Sequence, residues 1–170
     1  VRYGWDPALS FHVPAGVREL FAAKLGARGA RLRRDWEQQH AQWSAAHPEH
    51  AREVEMAWRG ELPAGFDAHL PVHPADAKGM ATRDAGGKAL EALAKHVPWL
   101  VGGSADLTPS TKTRLSMEGA GDLSATMPGG RNVHYGIREH AMGSILNGIT
   151  LHGLTRSFGG TFAVFSDYMR

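Results

Sequence analysis

A chain of 170 residues that is 42% hydrophobic and 21% charged can bury one core of ordinary size and is too apolar to be disordered. A formal net charge of +2 makes no electrostatic case for nucleic acid. The absence of cysteine excludes disulfides, thiolate metal sites and thiol nucleophiles.

No stretch approaches the roughly 20 apolar residues of a membrane span, and no signal peptide opens the chain. Neither a nucleic-acid nor a membrane partner is expected, and the cytoplasm is the expected compartment. The chain begins at a valine and stops at Asp167-Tyr168-Met169-Arg170 without a cap, so both ends are expected to be cuts through a longer protein.

Gly4, Pro7, Pro14 and Gly16 make residues 1–16 irregular but ordered. Val17, Leu20, Phe21 and Leu25 then share one helical face, and Gly26 and Gly29 are expected to end or interrupt that helix. Arg28, Arg31, Arg33 and Arg34 read as a solvated face. Leu32, Trp36 and Trp43 align on a second helix, where aromatics at that spacing are expected in a core. Pro48 breaks this helix or starts the next, and Ala51–Trp58 forms a third. Pro63, Gly65, Pro71 and Pro74 make Gly60–Gly79 an extended connector. A domain boundary falls there, dividing residues 1–72 from residues 73–170.

Beyond residue 79 the pattern alternates. Ala85, Ala89, Leu93 and Val97 place a helix over Ala81–His96, stopped by Pro98. Trp99-Leu100-Val101 is a short strand that Gly102-Gly103 is expected to end. Residues 104–130 form a long polar loop, of a length that is often functional. Arg131–Tyr135 is a second strand and Glu139–Leu151 an apolar helix. Thr161–Phe165 is a third strand or the start of another helix. This rhythm predicts an α/β layer on a parallel sheet, preceded by a helical connector. Ligands in such folds sit at the carboxyl ends of strands.

Two stretches fall at such ends. Tyr135-Gly136-Ile137-Arg138-Glu139-His140 sets one carboxylate, Glu139, at the start of a nearly uncharged helix. Burial is expected there, and a carboxyl buried without a cation acts as a proton donor near neutral pH. Gly102-Gly103-Ser104-Ala105-Asp106-Leu107-Thr108-Pro109-Ser110 pairs glycines, which admit close approach of backbone to a ligand, with hydroxyls and one charge. It matches no nucleotide phosphate loop and by composition reads as a turn with capping residues. His134, Glu139 and His140 match no zinc spacing, and Ser157 and Ser166 lack a nucleophile-elbow setting. Phe162, Phe165 and Tyr168 recur every three residues; they are either core or an aromatic wall for a flat heterocycle.

Together with Gly159-Gly160-Thr161-Phe162, these stretches resemble the transketolase family, in that family's order. Gly4-Trp5-Asp6 and Leu62-Pro63-Ala64-Gly65-Phe66 resemble the close of its first domain and its connector. The resemblance implies a partial thiamine-diphosphate-binding fold. Residues 1–72 would be the end of the diphosphate-binding domain with its connector, and residues 73–170 the first half of the pyrimidine-binding domain. It implies transfer of a two-carbon ketol unit between sugar phosphates in the pentose phosphate pathway. A homodimer would hold the site between its subunits, and the fragment alone would be inactive.

By the same resemblance, Glu139 would hydrogen-bond the pyrimidine N1′ and favour the imino tautomer that deprotonates the thiazolium. Phe162, Phe165 and Tyr168 would surround the aminopyrimidine. Asp106 and Leu107 would lie near the thiazolium, and Arg83 and Ser110 would bind the sugar phosphate. The Mg²⁺ or Ca²⁺ ligands and the diphosphate anchor would lie outside this chain. Dihydroxyacetone synthase, another thiamine-diphosphate enzyme and a non-catalytic transketolase-like subunit are the competing readings.

Overall fold

A computed structural model describes residues 3, 4 and 6–169. The chain divides into two compact units, Val1–Ala51 and Arg52–Arg170.

In the first unit, α1 (Val17–Phe21) passes through a π-helical turn (Ala22–Gly26) into α2 (Ala27–Ala46). Gly26 keeps helical angles, φ −63° and ψ −48°, so of the two expectations the helix is interrupted here rather than ended. The interruption is a shift in hydrogen-bond register. An interior glycine costs a helix only about 1 kcal/mol, which the surrounding alanines, leucines and arginines offset. The tryptophans depart from expectation. Trp36 and Trp43 are 43% and 37% exposed, and α2 has no buried residue. They form a ridge with histidines one turn away: Trp36 stacks on His40 at 4.9 Å, and His40 lies 5.9 Å from Trp43. The Arg33 guanidinium sits 5.7 Å over Trp36. Pro48 begins α3 (Pro48–Trp58), where a missing N–H costs nothing.

In the second unit, the connector makes turns only. It is followed by α4 (Thr82–His96), β1 (Leu100–Ser104), α5 (Thr108–Thr111), β2 (Asn132–His134), α6 (Glu139–His152) and β3 (Arg156–Gly160). A 3₁₀ helix, Ala163–Tyr168, follows. The strands form a parallel sheet in the order β2-β1-β3. Ala94, Leu115 and Ala120 centre one buried cluster; Ala105, Tyr135 and Met142 centre the other, near the strand ends.

One strand expectation is corrected and another is decided. Gly102 and Gly103 do not end β1; they lie inside it. A Cβ at Gly102 would land on the Phe158 carbonyl, and one at Gly103 on the Val133 carbonyl, so close pairing on both sides requires glycine here. The third strand is Arg156–Gly160, and Thr161–Phe165 instead leads into the 3₁₀ helix, the second of the two expectations for it. The glycines of β3 give it little intrinsic strand signal. They earn their place by packing: a Cβ at Gly159 would sit 2.5 Å from Leu146 Cδ1 of α6.

The long loop is tied down by the two residues that follow it, Arg131 and the first residue of β2, Asn132. Arg131 donates to the carbonyls of Ala94, Val97 and Leu100 at 2.9, 2.9 and 3.0 Å, satisfying the end of α4. Buried Asn132 accepts from Leu115 N at 2.8 Å and donates to the Leu115 and Gly121 carbonyls at 2.9 Å each. Asn132→Ala would leave the Leu115 amide and carbonyl buried and unpaired, while the Gly121 carbonyl keeps its bond from the residue-132 backbone amide. It is expected to cost about 2–3 kcal/mol, read as a lower denaturation midpoint.

Candidate active site

The three strand ends lie side by side. In register, Ser104 of β1 pairs with His134 of β2 and with Gly160 of β3. Every predicted site residue except Arg83 follows one of these ends by no more than eight residues.

Glu139 is the first residue of α6 and is 3% exposed. The turn before it is shaped by Gly136, at φ +69°, and by Arg138, whose Nη1 donates to the Tyr135 carbonyl at 3.1 Å. The first turn of a helix favours a carboxylate through its dipole. Tyr168 is half exposed, and its phenol is held above its ordinary range, first by hydrogen bonding toward the Glu139 carboxylate and then by burial.

The aromatic residues form a row because they ride on a 3₁₀ helix, whose period of three superposes side chains at i and i+3. Phe162 and Phe165 stack with centroids 6.1 Å apart at 16°, and Phe165 meets Tyr168 at 6.0 Å and 53°. Phe162 is 43% exposed, so the row is an open wall rather than core. Two further contacts bring the wall to Glu139. His140 Nδ1 lies 3.1 Å from the Tyr168 carbonyl, and a Cβ at Gly143 would meet Met169 at 3.2 Å. His140 is therefore a structural link from α6 to the 3₁₀ helix. Its adjacency to Glu139 was the only trace of this in the sequence.

Asp106 is exposed on the turn after β1, in a left-handed conformation at φ +61°. It lines a cleft of about 420 Å³ with Thr108, Arg114, His134 and Arg138. Leu107, half-buried, opens α5. Behind the cleft, Asp122 joins Arg114 Nη1 at 2.8 Å and His134 Nε2 at 3.2 Å. Arg114 foremost, then His134, holds the Asp122 carboxyl below its usual range. Composition gave no signal for this triad, since Asp122 lies within the polar loop.

Arg83 and Ser110 are exposed on α4 and α5. These helices pack where Gly87 meets Lys112. No hydrogen bond or ion pair joins Arg83 to Ser110 among the described residues.

An open aromatic wall beside one buried carboxyl fits a flat heterocycle with a basic ring nitrogen. Two buried hydroxyls nearby in sequence, Tyr135 Oη and Thr161 Oγ1, have no hydrogen-bond partner among the described residues. Among those residues no three His, Asp or Glu side chains cluster as metal ligands, and no helix is long and apolar enough to cross a membrane.

Comparison with known proteins agrees with this geometry. The family model for the transketolase pyrimidine-binding domain matches residues 78–170, and that for the transketolase thiamine diphosphate-binding domain matches residues 1–63. The chain is 44% identical to the Bacillus subtilis transketolase over 99% of its own length and 25% of that protein. It superposes on the Leishmania mexicana transketolase with TM-score 0.88 at 38% identity, covering 98% of this chain and 24% of that one. The Pichia stipitis transketolase in complex with sedoheptulose-7-phosphate matches with TM-score 0.87 at 37% identity, over 99% of this chain and 25% of that one. The chain thus spans about a quarter of the length of these relatives. It belongs to the transketolase family.

Proposed function

We propose that this chain is the central part of a thiamine-diphosphate-dependent transketolase, which moves a two-carbon ketol unit from a ketose phosphate to an aldose phosphate in the pentose phosphate pathway. The observation that carries the reading is the buried Glu139 at the head of α6, beside the open row Phe162–Phe165–Tyr168. The sugar phosphate bound to the Pichia stipitis relative supports the substrate class.

Thiamine diphosphate supplies a carbon acid and an electron sink for breaking the bond beside a ketone. The residues of this chain do the rest. Glu139 holds a proton at the pyrimidine N1′. A carboxylate has about four acceptor positions, so accepting from Tyr168 leaves capacity for the ring. The aromatic row stacks on the pyrimidine and keeps water from the shared proton. Asp106 sets a negative charge near the cationic thiazolium, and Leu107 packs beside it. Arg83 and Ser110 bind the sugar phosphate, an arginine fork suiting that dianion. Mg²⁺ or Ca²⁺ takes its ligands from outside these residues. The intact protein works as a cytoplasmic homodimer with the site between subunits. A domain boundary at residues 72/73 is part of this reading, supported by the separate matches of segments 1–63 and 78–170 to two family models.

Calorimetry of the full-length protein with thiamine diphosphate and Mg²⁺ tests this reading. Saturable binding that requires both is the expected result. Absence of binding would leave a non-catalytic transketolase-like subunit. Binding with preference for formaldehyde over phosphorylated acceptors would point to dihydroxyacetone synthase.

A further inference from the structure

Ser104 is the last residue of the central strand and is 1% exposed. Its hydroxyl makes two bonds to other segments. Oγ donates to the Gly160 carbonyl at 2.6 Å and accepts from the Leu107 amide at 3.2 Å. A carbonyl cannot donate and an amide N–H cannot accept, so the direction of both bonds is fixed. The hydroxyl therefore joins the end of β3 to the turn after β1.

Those two segments carry different parts of the site. Gly160 leads through Thr161 into Phe162 and the aromatic row. The turn holds Asp106 in a left-handed conformation, which aspartate tolerates better than most non-glycine residues. The bond at Leu107, one residue on, helps fix that turn. Packing reinforces the same joint. A Cβ at Gly160 would meet Thr113 Cγ2 at 2.5 Å and Thr111 Cβ at 3.4 Å, so the chain leaving α5 rests directly on the end of β3. Thr111 in turn donates to the Leu107 carbonyl at 3.0 Å and shares a 3.0 Å hydroxyl contact with Thr113.

We propose that Ser104 is a positioning residue: its hydroxyl sets the spacing between the Asp106–Leu107 turn and the Phe162 end of the aromatic row. The proposal rests on the thiamine-diphosphate reading of the site. A pyrimidine ring and a thiazolium ring are joined by a fixed covalent bridge, so the two segments that receive them must be held at one separation. Ser104 spans both segments without being exposed to the cleft itself.

The test uses four full-length proteins: wild type, Ser104→Ala, Ser104→Cys, and Asn132→Ala, which also loses buried hydrogen bonds but none of those joining β3 to the turn after β1. Calorimetry with thiamine diphosphate and Mg²⁺, thermal midpoints of the cofactor-free proteins, and hydrogen exchange of residues 105–110 and 158–162 are measured on each. Ser104→Ala is expected to weaken cofactor binding by about tenfold or more, the equivalent of one lost hydrogen bond. It should speed exchange in both segments together. Asn132→Ala should lower the thermal midpoint while leaving cofactor affinity within about twofold of wild type. Ser104→Cys, which keeps a weak donor of similar size, should recover part of the affinity. Cofactor affinity unchanged in Ser104→Ala, or weakened equally in Asn132→Ala, would overturn the proposal alone. A wild-type protein that binds no cofactor would overturn the underlying reading and this proposal with it.

Discussion

Replacing Glu139 by glutamine in the full-length protein is expected to reduce ketol transfer by about a hundredfold or more, the scale of a lost general acid–base contribution. The fold should survive. Glutamine has the same shape, and the wall stays attached to α6 through His140 on the Tyr168 carbonyl and Met169 against Gly143. What is lost is a proton that can be shared with a ring nitrogen, because an amide donates a hydrogen bond without acting as an acid. The rate constant at saturating cofactor and the thermal midpoint separate the two effects. A rate within a few-fold of wild type would refute the assigned role.

The same variant has a readout independent of turnover. The Glu139 carboxylate raises the Tyr168 phenol by accepting its hydrogen bond and by charge repulsion of the phenolate. A neutral amide removes the repulsion, so the Tyr168 phenol should ionise at lower pH in Glu139→Gln. Ultraviolet titration of the phenolate band would show the shift. No downward shift would mean that Tyr168 does not meet Glu139 in the intact protein.

How much of this could be read from the sequence depended on whether a feature is local. The α4 and α6 helices were legible because each carries its own apolar periodicity, and Pro98 stops α4 after His96; β1 and β2 were located, but not the end of β1. The alternation of these elements implied a parallel sheet, and the sheet implied a site at its carboxyl ends. Elements defined by a neighbour were not legible. Arg156-Ser157-Phe158-Gly159-Gly160 has one large apolar side chain and no alternation; it is a strand because β1 and Leu146 approach it closely. Trp36 and Trp43 had core spacing but face outward from their unit, where histidines on the same helix stack on them. Glu139 stood out because its apolar helix is contiguous in sequence. The partners that position it, Tyr168 and His140, meet only after the chain has folded back through β3. Ser104 looked like an ordinary turn residue, since both its partners are set by tertiary structure.

The largest effect on stability is expected at Gly103. Its partner across the ladder is Val133, and a Cβ would be driven onto the Val133 carbonyl, with the carbonyl carbon at 2.9 Å and the amide nitrogen at 3.2 Å. These are backbone atoms held by the sheet, so no rotamer change relieves the clash. Gly103→Ala must push β2 from β1 or lose their hydrogen bonds, and is expected to cost about 3 kcal/mol or more. Gly129→Ala is the matched control. Gly129 has no positive φ, and a Cβ there meets nothing within 4 Å, so a change within about 0.5 kcal/mol is expected. Urea unfolding midpoints of the two full-length variants would give the difference. Displacement of β2 should also reach the chemistry, because Tyr135 to Glu139 continue directly from its end. Any folded Gly103→Ala protein should therefore lose ketol transfer along with stability, whereas Gly129→Ala should keep both. Equal midpoints for the two would show that β1 and β2 can separate at no cost, and that glycine at the centre of the sheet is not what fixes the approach of Glu139 to the site.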